Sequence, residues 1–318
     1  MDQGTESKKF KPLKVKSIDA AVTEAMAEVT EARSGKQRGL LCRWWKINNA
    51  VGGSWQFNNN YLLAGPSGSG KSYILNMLHR DFTNKDKNYR FKRDVKVLHF
   101  SFEMSASDEV IRSLSTLTKL SYTQILSSFE PLSDTDFENL KAKAVNLTGT
   151  EIYYVEIAGN RYQIYETVKA FKLRFPESEL VVTLDHSLLT EYLDESDEIQ
   201  LMAELARMFM RIRKEFRSLN ILVGQLNDKI EDPGRIKSPM LHYPKKTDIH
   251  GSKQIYWAMD SVAIIHKPEM LGITSYGPKY WSTDKLIAWH QIKMRKATPC
   301  IVRLRDNLDE GKITLWDN

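Results

Sequence analysis

Residues 65–72 read Gly65-Pro66-Ser67-Gly68-Ser69-Gly70-Lys71-Ser72, a complete G-x-x-x-x-G-K-[ST] phosphate-binding loop. An apolar run at 61–64 has the length of a short buried strand, and residues 72–78 carry apolar side chains at helical spacing. In this context the loop's N–H groups can surround a triphosphate, Lys71 can neutralise its β and γ phosphates, and Ser72 can ligate Mg²⁺. The pattern predicts a site for ATP and Mg²⁺; a flexible Gly/Ser turn is the alternative.

The composition indicates a sizeable core and no membrane segment. The chain has 318 residues, 42% of them hydrophobic, and its 46 basic and 40 acidic residues give a net charge of +6. This charge permits an anionic partner without requiring one. The N-terminus lacks the apolar core of a signal peptide, and no apolar run is long enough to cross a bilayer. Cys42 and Cys300 form no metal or redox spacing, so we expect a cytoplasmic protein.

Three regions are predicted along the chain. Residues 1–16 are rich in lysine, which is typical of a flexible basic tail. Residues 17–38 are predicted to form a helix from Ser17 to Arg33 and a polar loop; the helix has an apolar stripe that needs a partner in its own domain or on another subunit. Residues 39–318 alternate strand-like and helical runs, including a long helix at 198–219, and predict an α/β domain with a largely parallel sheet. The predicted strands are 62–64, 95–102, 151–155, 180–184, 221–224, 261–266, 286–291, 300–305 and 312–316.

Polar side chains follow three of these strands, where ligands of a parallel sheet bind. Asp185 ends one apolar run, and we expect it to hold Mg²⁺ together with Ser72. Glu103 ends another and is the candidate to polarise the attacking water. Gln225 follows a third strand, where an amide could sense the γ-phosphate and relay its loss to the next loop. A turn aspartate, a helix-start glutamate and a surface glutamine are the alternatives.

Four separated motifs occur in a fixed order along the chain. They are Val97-Leu98-His99-Phe100-Ser101-Phe102-Glu103-Met104-Ser105, then Gly224-Gln225-Leu226-Asn227, then Asp248-Ile249-His250-Gly251-Ser252 through Ile255 to Asp260 and His266-Lys267-Pro268-Glu269, and finally Lys293-Met294-Arg295. They resemble the "EMS", "SQLN", "SDLRESG…I…AD…RPE" and K-x-R motifs of DnaB-type replicative DNA helicases. The resemblance covers about residues 17 to 318.

The resemblance implies a RecA-like ATPase core that forms a ring of six around single-stranded DNA, with each ATP site between two subunits. The implied activity is ATP-driven translocation, 5′ to 3′, and duplex unwinding in DNA replication. Lys293 and Arg295 would then enter the neighbour's site, with Arg295 as an arginine finger. The helix at 17–33 would be a linker helix that packs on the adjacent subunit. A primase or a helicase loader is an implied partner, and a phage or mobile-element gene would place the protein in a bacterial host's cytoplasm.

DNA contact would fall to the loop at 228–251 and its flank, which is rich in basic residues. The candidate DNA-binding residues are Lys229, Arg235, Lys245, Lys246, His250 and Lys253, with Lys237 in the same loop. Contacts of this kind hold the phosphate backbone without reading the bases, as translocation requires. A long surface loop without DNA is the competing interpretation.

The sequence departs from the family's pattern in three places. We expect no counterpart of the family's N-terminal domain before the core. The letters HSLL follow Asp185 where the family has "YLQL", and the loop beyond them is acidic at 191–198. His250 and Lys253 replace the Arg and Gly of "LRESG". Two other functions therefore stay open: a recombinase-like DNA-dependent ATPase without unwinding, and an ATP-dependent factor that regulates or loads a helicase.

Overall fold

The computed structural model describes residues 15–185, 190–191, 198–238, 242–295 and 297–316, without the side chains of residues 198, 252 and 253. Most of the predicted basic tail, most of the acidic stretch at 191–198 and the side chain of Lys253 therefore lie outside the described residues. The chain divides into two compact units, Met1–Arg38 and Gly39–Asn318. No described helix is both long and apolar enough to cross a membrane.

The first unit contains a single described helix, α1 (Ile18–Arg33). Its start is fixed by Ser17, whose hydroxyl accepts a hydrogen bond from the backbone N–H of Ala20, as the sequence predicted. No residue of α1 is buried. The apolar stripe is half or more exposed along its whole length, at Ile18, Val22, Met26 and Val29.

The second unit is built on one sheet with helices on both faces. Its helices in the described chain are α2 (Trp45–Ala50), α3 (Lys71–Thr83), α4 (Ala106–Thr118), α5 (Tyr122–Ile125), α6 (Asp134–Leu147), α7 (Arg161–Arg174), α8 (Glu198–Phe216), α9 (Pro233–Ile236) and α10 (Ser252–Ala258). Its strands are β1 (Gly39–Leu40), β2 (Trp55–Gln56), β3 (Asn59–Gly65), β4 (Val95–Ser101), β5 (Ile152–Val155), β6 (Glu179–Asp185), β7 (Leu219–Gln225), β8 (Ser261–His266), β9 (Ser275–Tyr276), β10 (Trp281–Ser282), β11 (Leu286–Met294), β12 (Cys300–Asn307) and β13 (Lys312–Leu315).

Nine strands form the main sheet in the order β13-β12-β11-β8-β3-β7-β6-β4-β5. The six strands from β8 to β5 are parallel, and β11, β12 and β13 continue the sheet antiparallel. Parallel strands at the centre of a sheet are covered on both faces, so most of their residues are apolar, as in the segment 61–64 of β3. The predicted α/β fold with a largely parallel sheet is confirmed.

Side chains of β3 alternate between two hydrophobic cores. Tyr61 and Leu63 pack on the face that carries α2 and α3, while Leu62 and Ala64 pack on the face that carries α7, α8 and α10. Because β3 is buried on both faces, the loop that follows it starts from a rigid support.

Each predicted strand is present, but the long helix is shorter than the sequence predicted. It ends at Phe216 and not at 219, because Arg217 takes a left-handed conformation with φ of 53°. Leu219 continues the helical spacing of apolar residues, and it is also the first residue of β7. Periodicity alone therefore could not decide whether Leu219 belongs to the helix or to the strand.

Candidate active site

The phosphate-binding loop follows β3 directly and leads into α3. Gly65 lies so close to β8 that a Cβ atom there would be 2.4 Å from the carbonyl oxygen of Ile265. Gly70 has a φ of 91°, which a residue with a side chain rarely adopts, and it is the N-cap residue directly before α3. These two glycines let the backbone turn sharply from a buried strand into a helix. The turn leaves the N-terminal N–H groups of α3 facing the cavity described below.

Lys71 is buried beside the loop that it belongs to. Its Nζ donates to the carbonyl oxygens of Gly65 at 2.8 Å and Pro66 at 2.6 Å. Burial lowers its pKa to about 8, although the nearby carboxylates of Asp185 and Glu103 oppose that shift. Lys71 therefore lies within the electrostatic reach of both predicted acidic residues.

Four of the five predicted catalytic side chains, those of Lys71, Glu103, Asp185 and Gln225, meet in one cavity of about 220 Å³. Its walls include Lys71 and Ser72 with Glu103, Asp185 and Gln225, and also Ser67, Gly68, Gly70, Tyr73, Arg112, Val223, Gly224 and Leu308. The predicted residues follow or end β3, β4, β6 and β7, as expected for a parallel sheet, while Tyr73, Arg112 and Leu308 come from α3, α4 and the segment after β12. The Ser72 hydroxyl and the Asp185 carboxylate line the same cavity, so the donors fit a Mg²⁺ ion that takes its remaining ligands from phosphate and water.

Thr183 is buried in β6, two residues before Asp185, and lies between two histidines. The Thr183 hydroxyl lies 2.9 Å from His79 Nε2 and 2.8 Å from His99 Nδ1, which ties α3, β4 and β6 together below the cavity. Burial lowers the pKa of His99 to about 4, so this imidazole is neutral at pH 7. The network therefore ties β6, the strand that ends at Asp185, to α3 and β4, and His99 adds no positive charge to it.

Arg112 is a wall residue that the sequence analysis missed. This side chain of α4 lies over the Tyr73 ring, 5.1 Å from its centroid, and pairs with Glu109 at 2.9 Å. Glu109 is buried, and it accepts a further hydrogen bond from the Asn76 side chain of α3 at 2.9 Å. The sequence places Glu109 and Arg112 three residues apart on a helix, which predicts an ion pair, but such pairs usually lie on a solvent-exposed face. Here it fixes a guanidinium at the cavity.

Gln225 connects the cavity with the loop predicted to contact DNA. Its backbone carbonyl accepts from the N–H of His250 at 3.0 Å, and the N–H of Asn227 donates to the carbonyl of Asp248 at 2.7 Å. Leu226 and Ile249 form a β-bridge between these two hydrogen bonds. The end of the loop is therefore attached to the backbone of the predicted γ-phosphate sensor.

The basic residues of that loop do not share one environment. Lys229, Lys245 and Lys246 are exposed, whereas Arg235 is half-buried and holds both oxygens of Asp248 at 2.9 Å. His250 is half-buried at the bridge to Gln225. The three lysines can reach a phosphate backbone, while the Arg235 guanidinium shapes the loop.

The cavity lies where the parallel strands end, which we call the carboxyl edge of the sheet. Lys293 and Arg295 lie where these strands begin, which we call the amino edge. The N–H of Arg295 donates to Asp260 O at 3.2 Å, and the N–H of Asp260 donates to Asn60 O at 2.8 Å, which places Arg295 beside the start of β3. Gly65 ends the same strand, and five residues of extended chain span about 17 Å. Within one chain, Arg295 is therefore not part of the wall around Lys71.

The sequence and the fold of the chain are similar to those of known proteins. Residues 39–304 match the family model for the DnaB-like helicase C-terminal domain. The chain belongs to this family. It therefore carries a DnaB-like ATPase domain, that of an ATP-dependent helicase. No curated protein matches the chain.

Two solved structures of DnaB-like helicases have the same fold. The ATPase domain of the phage SPP1 helicase matches with a TM-score of 0.79 at 17% identity, over 96% of this chain and 100% of that one. A DnaB-like replicative helicase described with its interactions with primase matches with a TM-score of 0.79 at 17% identity, over 95% of this chain and 69% of that one. At this identity the matches establish the fold.

ATP affinity should depend on pH through Lys71. The pKa of Lys71 is about 8, so below pH 8 most of its ammonium is already charged before ATP binds. At higher pH, Lys71 has to take up a proton when ATP binds. We expect the Kd for ATP to rise roughly fivefold between pH 8 and pH 9, because the charged fraction of Lys71 falls from about one half to about one tenth, with proton uptake visible by titration calorimetry in buffers of different ionisation enthalpy. Lys71→Arg should lose the dependence whatever its affinity, because a guanidinium stays protonated. Equal Kd values at both pH values in the native protein would refute the assignment.

Arg112 should contribute to ATP binding from within the same chain. Replacing Arg112 alone leaves Glu109 buried without its partner, so the informative variant is Arg112→Ala/Glu109→Gln. Loss of a charged hydrogen-bond donor to phosphate predicts a Kd for ATP that is about 10-fold higher. Lys141→Ala, at an exposed position of α6, is the control and should bind ATP normally. An unchanged Kd in the double variant would remove Arg112 from the site.

Proposed function

We propose that this DnaB-like domain is a ring-forming DNA helicase core that couples ATP hydrolysis to movement along single-stranded DNA and to duplex unwinding in replication. The observation that carries the proposal is the separation of the site into two parts. The loop, Glu103, Asp185 and Gln225 lie at the carboxyl edge of the sheet, and Arg295 lies at its amino edge. A complete site then needs the two edges of two different copies.

Hydrolysis would use the groups that line the cavity. Glu103 would accept a hydrogen bond from the attacking water and orient it toward the γ-phosphorus. Lys71 and Arg112 would balance the charge on the phosphates from one side, in a buried setting where such contacts are strong. Ser72 and Asp185 would hold Mg²⁺, which supplies further neutralisation of the phosphate oxygens when bound.

The charge that develops on the γ-phosphate would be met by Arg295 of the next subunit. Arg295 is 56% exposed in the single chain, as expected of a group that acts on a neighbour. Lys293 lies two residues earlier in the chain, with its Nζ 4.7 Å from the centroid of the Tyr256 ring, and it would bind the nucleotide from the same side. Hydrolysis would therefore require assembly.

Assembly would use the exposed stripe of α1. Four large apolar side chains along one helix are costly to leave in water, which favours burial against another surface. The segment from α4 to α6 exposes apolar side chains of its own, at Leu117, Leu126, Phe129, Phe137 and Val145. We propose that α1 of one copy packs on this segment of the next. A homo-hexamer is the assembly that the family resemblance implies.

DNA would bind the exposed lysines of the loop between β7 and α10. Lys229, Lys245 and Lys246 offer positive charge without base readout, which suits movement along a strand of any sequence. Loss of the γ-phosphate at Gln225 would reach these lysines through the bridge at Leu226 and Ile249. Movement 5′ to 3′, and contact with a primase or a helicase loader in a bacterial cytoplasm, complete the proposal.

Hydrolysis should depend on Glu103 and respond to DNA. We expect single-stranded DNA to raise the ATPase rate and a forked duplex to be unwound in the presence of ATP and Mg²⁺. Glu103→Gln should lower kcat by about 10²- to 10⁴-fold with little change in the Kd for ATP, because the loop and Lys71 are intact. Hydrolysis that ignores DNA, with no unwinding, would contradict the proposal. DNA-stimulated hydrolysis without unwinding would instead indicate a recombinase-like ATPase.

The finger should act between subunits. Arg295→Ala and Lys71→Ala proteins should each be inactive alone, but mixed assemblies contain interfaces where an intact loop meets an intact finger. In a random equal mixture roughly one interface in four has this arrangement. We therefore expect partial recovery of steady-state ATPase activity after the two proteins are mixed and reassembled. If assemblies shown to contain both proteins recover no activity, Arg295 acts within its own subunit and not on the neighbouring one.

A further inference from the structure

The carboxylate of Asp260 lies between two arginine side chains at the amino edge of the sheet. Arg295 brings its Nε to 3.1 Å from Asp260 Oδ1, and Arg213 of α8 forms an ion pair with Oδ2 through its Nη1. The backbone N–H of Asn60 also donates to Oδ2, at 2.9 Å. One carboxylate therefore joins the start of β3, the end of α8 and the turn after β11.

The two arginines differ in exposure. The side chains of Arg213 and Asp260 are 10% and 5% exposed, while that of Arg295 is 56% exposed. A buried ion pair resists rearrangement, because moving either partner leaves the other charge uncompensated in the interior. Arg213 and Asn60 thus fix the position of the Asp260 carboxylate, and the exposed Arg295 binds to a charge that does not move.

The contact uses the inner edge of the Arg295 guanidinium. The N–H groups of a guanidinium lie in one rigid plane, so an anchor at Nε sets the direction in which Nη1 and Nη2 point. In the described part of the chain, Asp260 is the only acidic residue that forms an ion pair with Arg295. The two terminal nitrogens are thereby left to meet a second anion.

We propose that Asp260, held by Arg213, is a positioning residue that orients Arg295 toward the nucleotide of the next subunit. The inference rests on the proposed function, since it assumes that Arg295 acts in trans. Without the carboxylate, the Arg295 backbone keeps its hydrogen bond to Asp260 O at 3.2 Å, but the side chain regains its rotamers. The finger would then remain present and charged while it spends less time in the reactive orientation.

The test needs a variant that removes the anchor without leaving a buried charge. Asp260→Asn alone leaves the buried Arg213 guanidinium without a carboxylate partner, so a loss of activity could reflect unfolding. Asp260→Asn/Arg213→Met removes both charges, keeps an acceptor oxygen for the Asn60 N–H, and should fold, as checked by thermal unfolding. We expect its kcat to fall about 10- to 100-fold, with the Kd for ATP unchanged within about twofold, because the nucleotide cavity lies at the other edge.

A matched control is available at a second buried pair. Asp81 of α3 is 4% exposed and pairs with Arg43 at 3.0 Å, away from both parts of the site. Asp81→Asn/Arg43→Met should show the general cost of losing such a pair and should keep its kcat. A double variant at Asp260 and Arg213 that folds and hydrolyses ATP at the native rate overturns the proposal.

Mixing separates a positioning role from a structural one. We would mix the Asp260→Asn/Arg213→Met protein with the Lys71→Ala protein and let the subunits reassemble. The ATPase activity of the mixture should exceed the mean of the two separate samples, because the Lys71→Ala subunits supply Arg295 in its native orientation. If this mixture gives only the mean while the Arg295→Ala mixture recovers, the role of Asp260 is wrong and the trans finger stands. If neither mixture recovers, the trans finger itself fails.

Discussion

The direction of two neighbouring strands decides how this site can work. β3 and β8 are parallel, so the loop after β3 opens at the carboxyl edge of the sheet, whereas β11 is antiparallel to β8 and ends at the amino edge. Main-chain hydrogen bonds fix this arrangement along the buried strands, with one irregularity in register between Gln291 and Lys293. A single chain therefore cannot close Arg295 over its own Lys71 without taking the sheet apart. Any mechanism that uses both residues has to be one of an assembly.

Most of the cavity could be predicted because its residues follow strong local signals. Glu103, Asp185 and Gln225 each end an apolar run, and parallel strands bring such ends together whatever their separation in sequence. Arg112 escaped prediction, since its place in the cavity depends on how α4 packs against α3. Arg235 looks like Lys229 in the sequence, and only the fold pairs it with Asp248. The partners of Asp260 are equally non-local, at residues 60, 213 and 295.

Buried charge is used for two different purposes in this domain. At Lys71 burial lowers the pKa of a group that a phosphate can then pair with, so the cost of burial is recovered when the ligand binds. At Asp260, and at the pair of Arg235 with Asp248, opposite charges already satisfy each other and fix the shape of a surface. The first kind of charge binds the nucleotide. The second kind holds in place the surfaces proposed to meet a neighbouring subunit and DNA.

Single-particle imaging of the protein with a non-hydrolysable ATP analogue and a single-stranded oligonucleotide tests the central claim most directly. The account predicts closed rings with DNA in the channel, in which each nucleotide touches Lys71 of one subunit and the guanidinium of Arg295 from the next. A nucleotide enclosed by one chain alone, with Arg295 far from every phosphate, would contradict it.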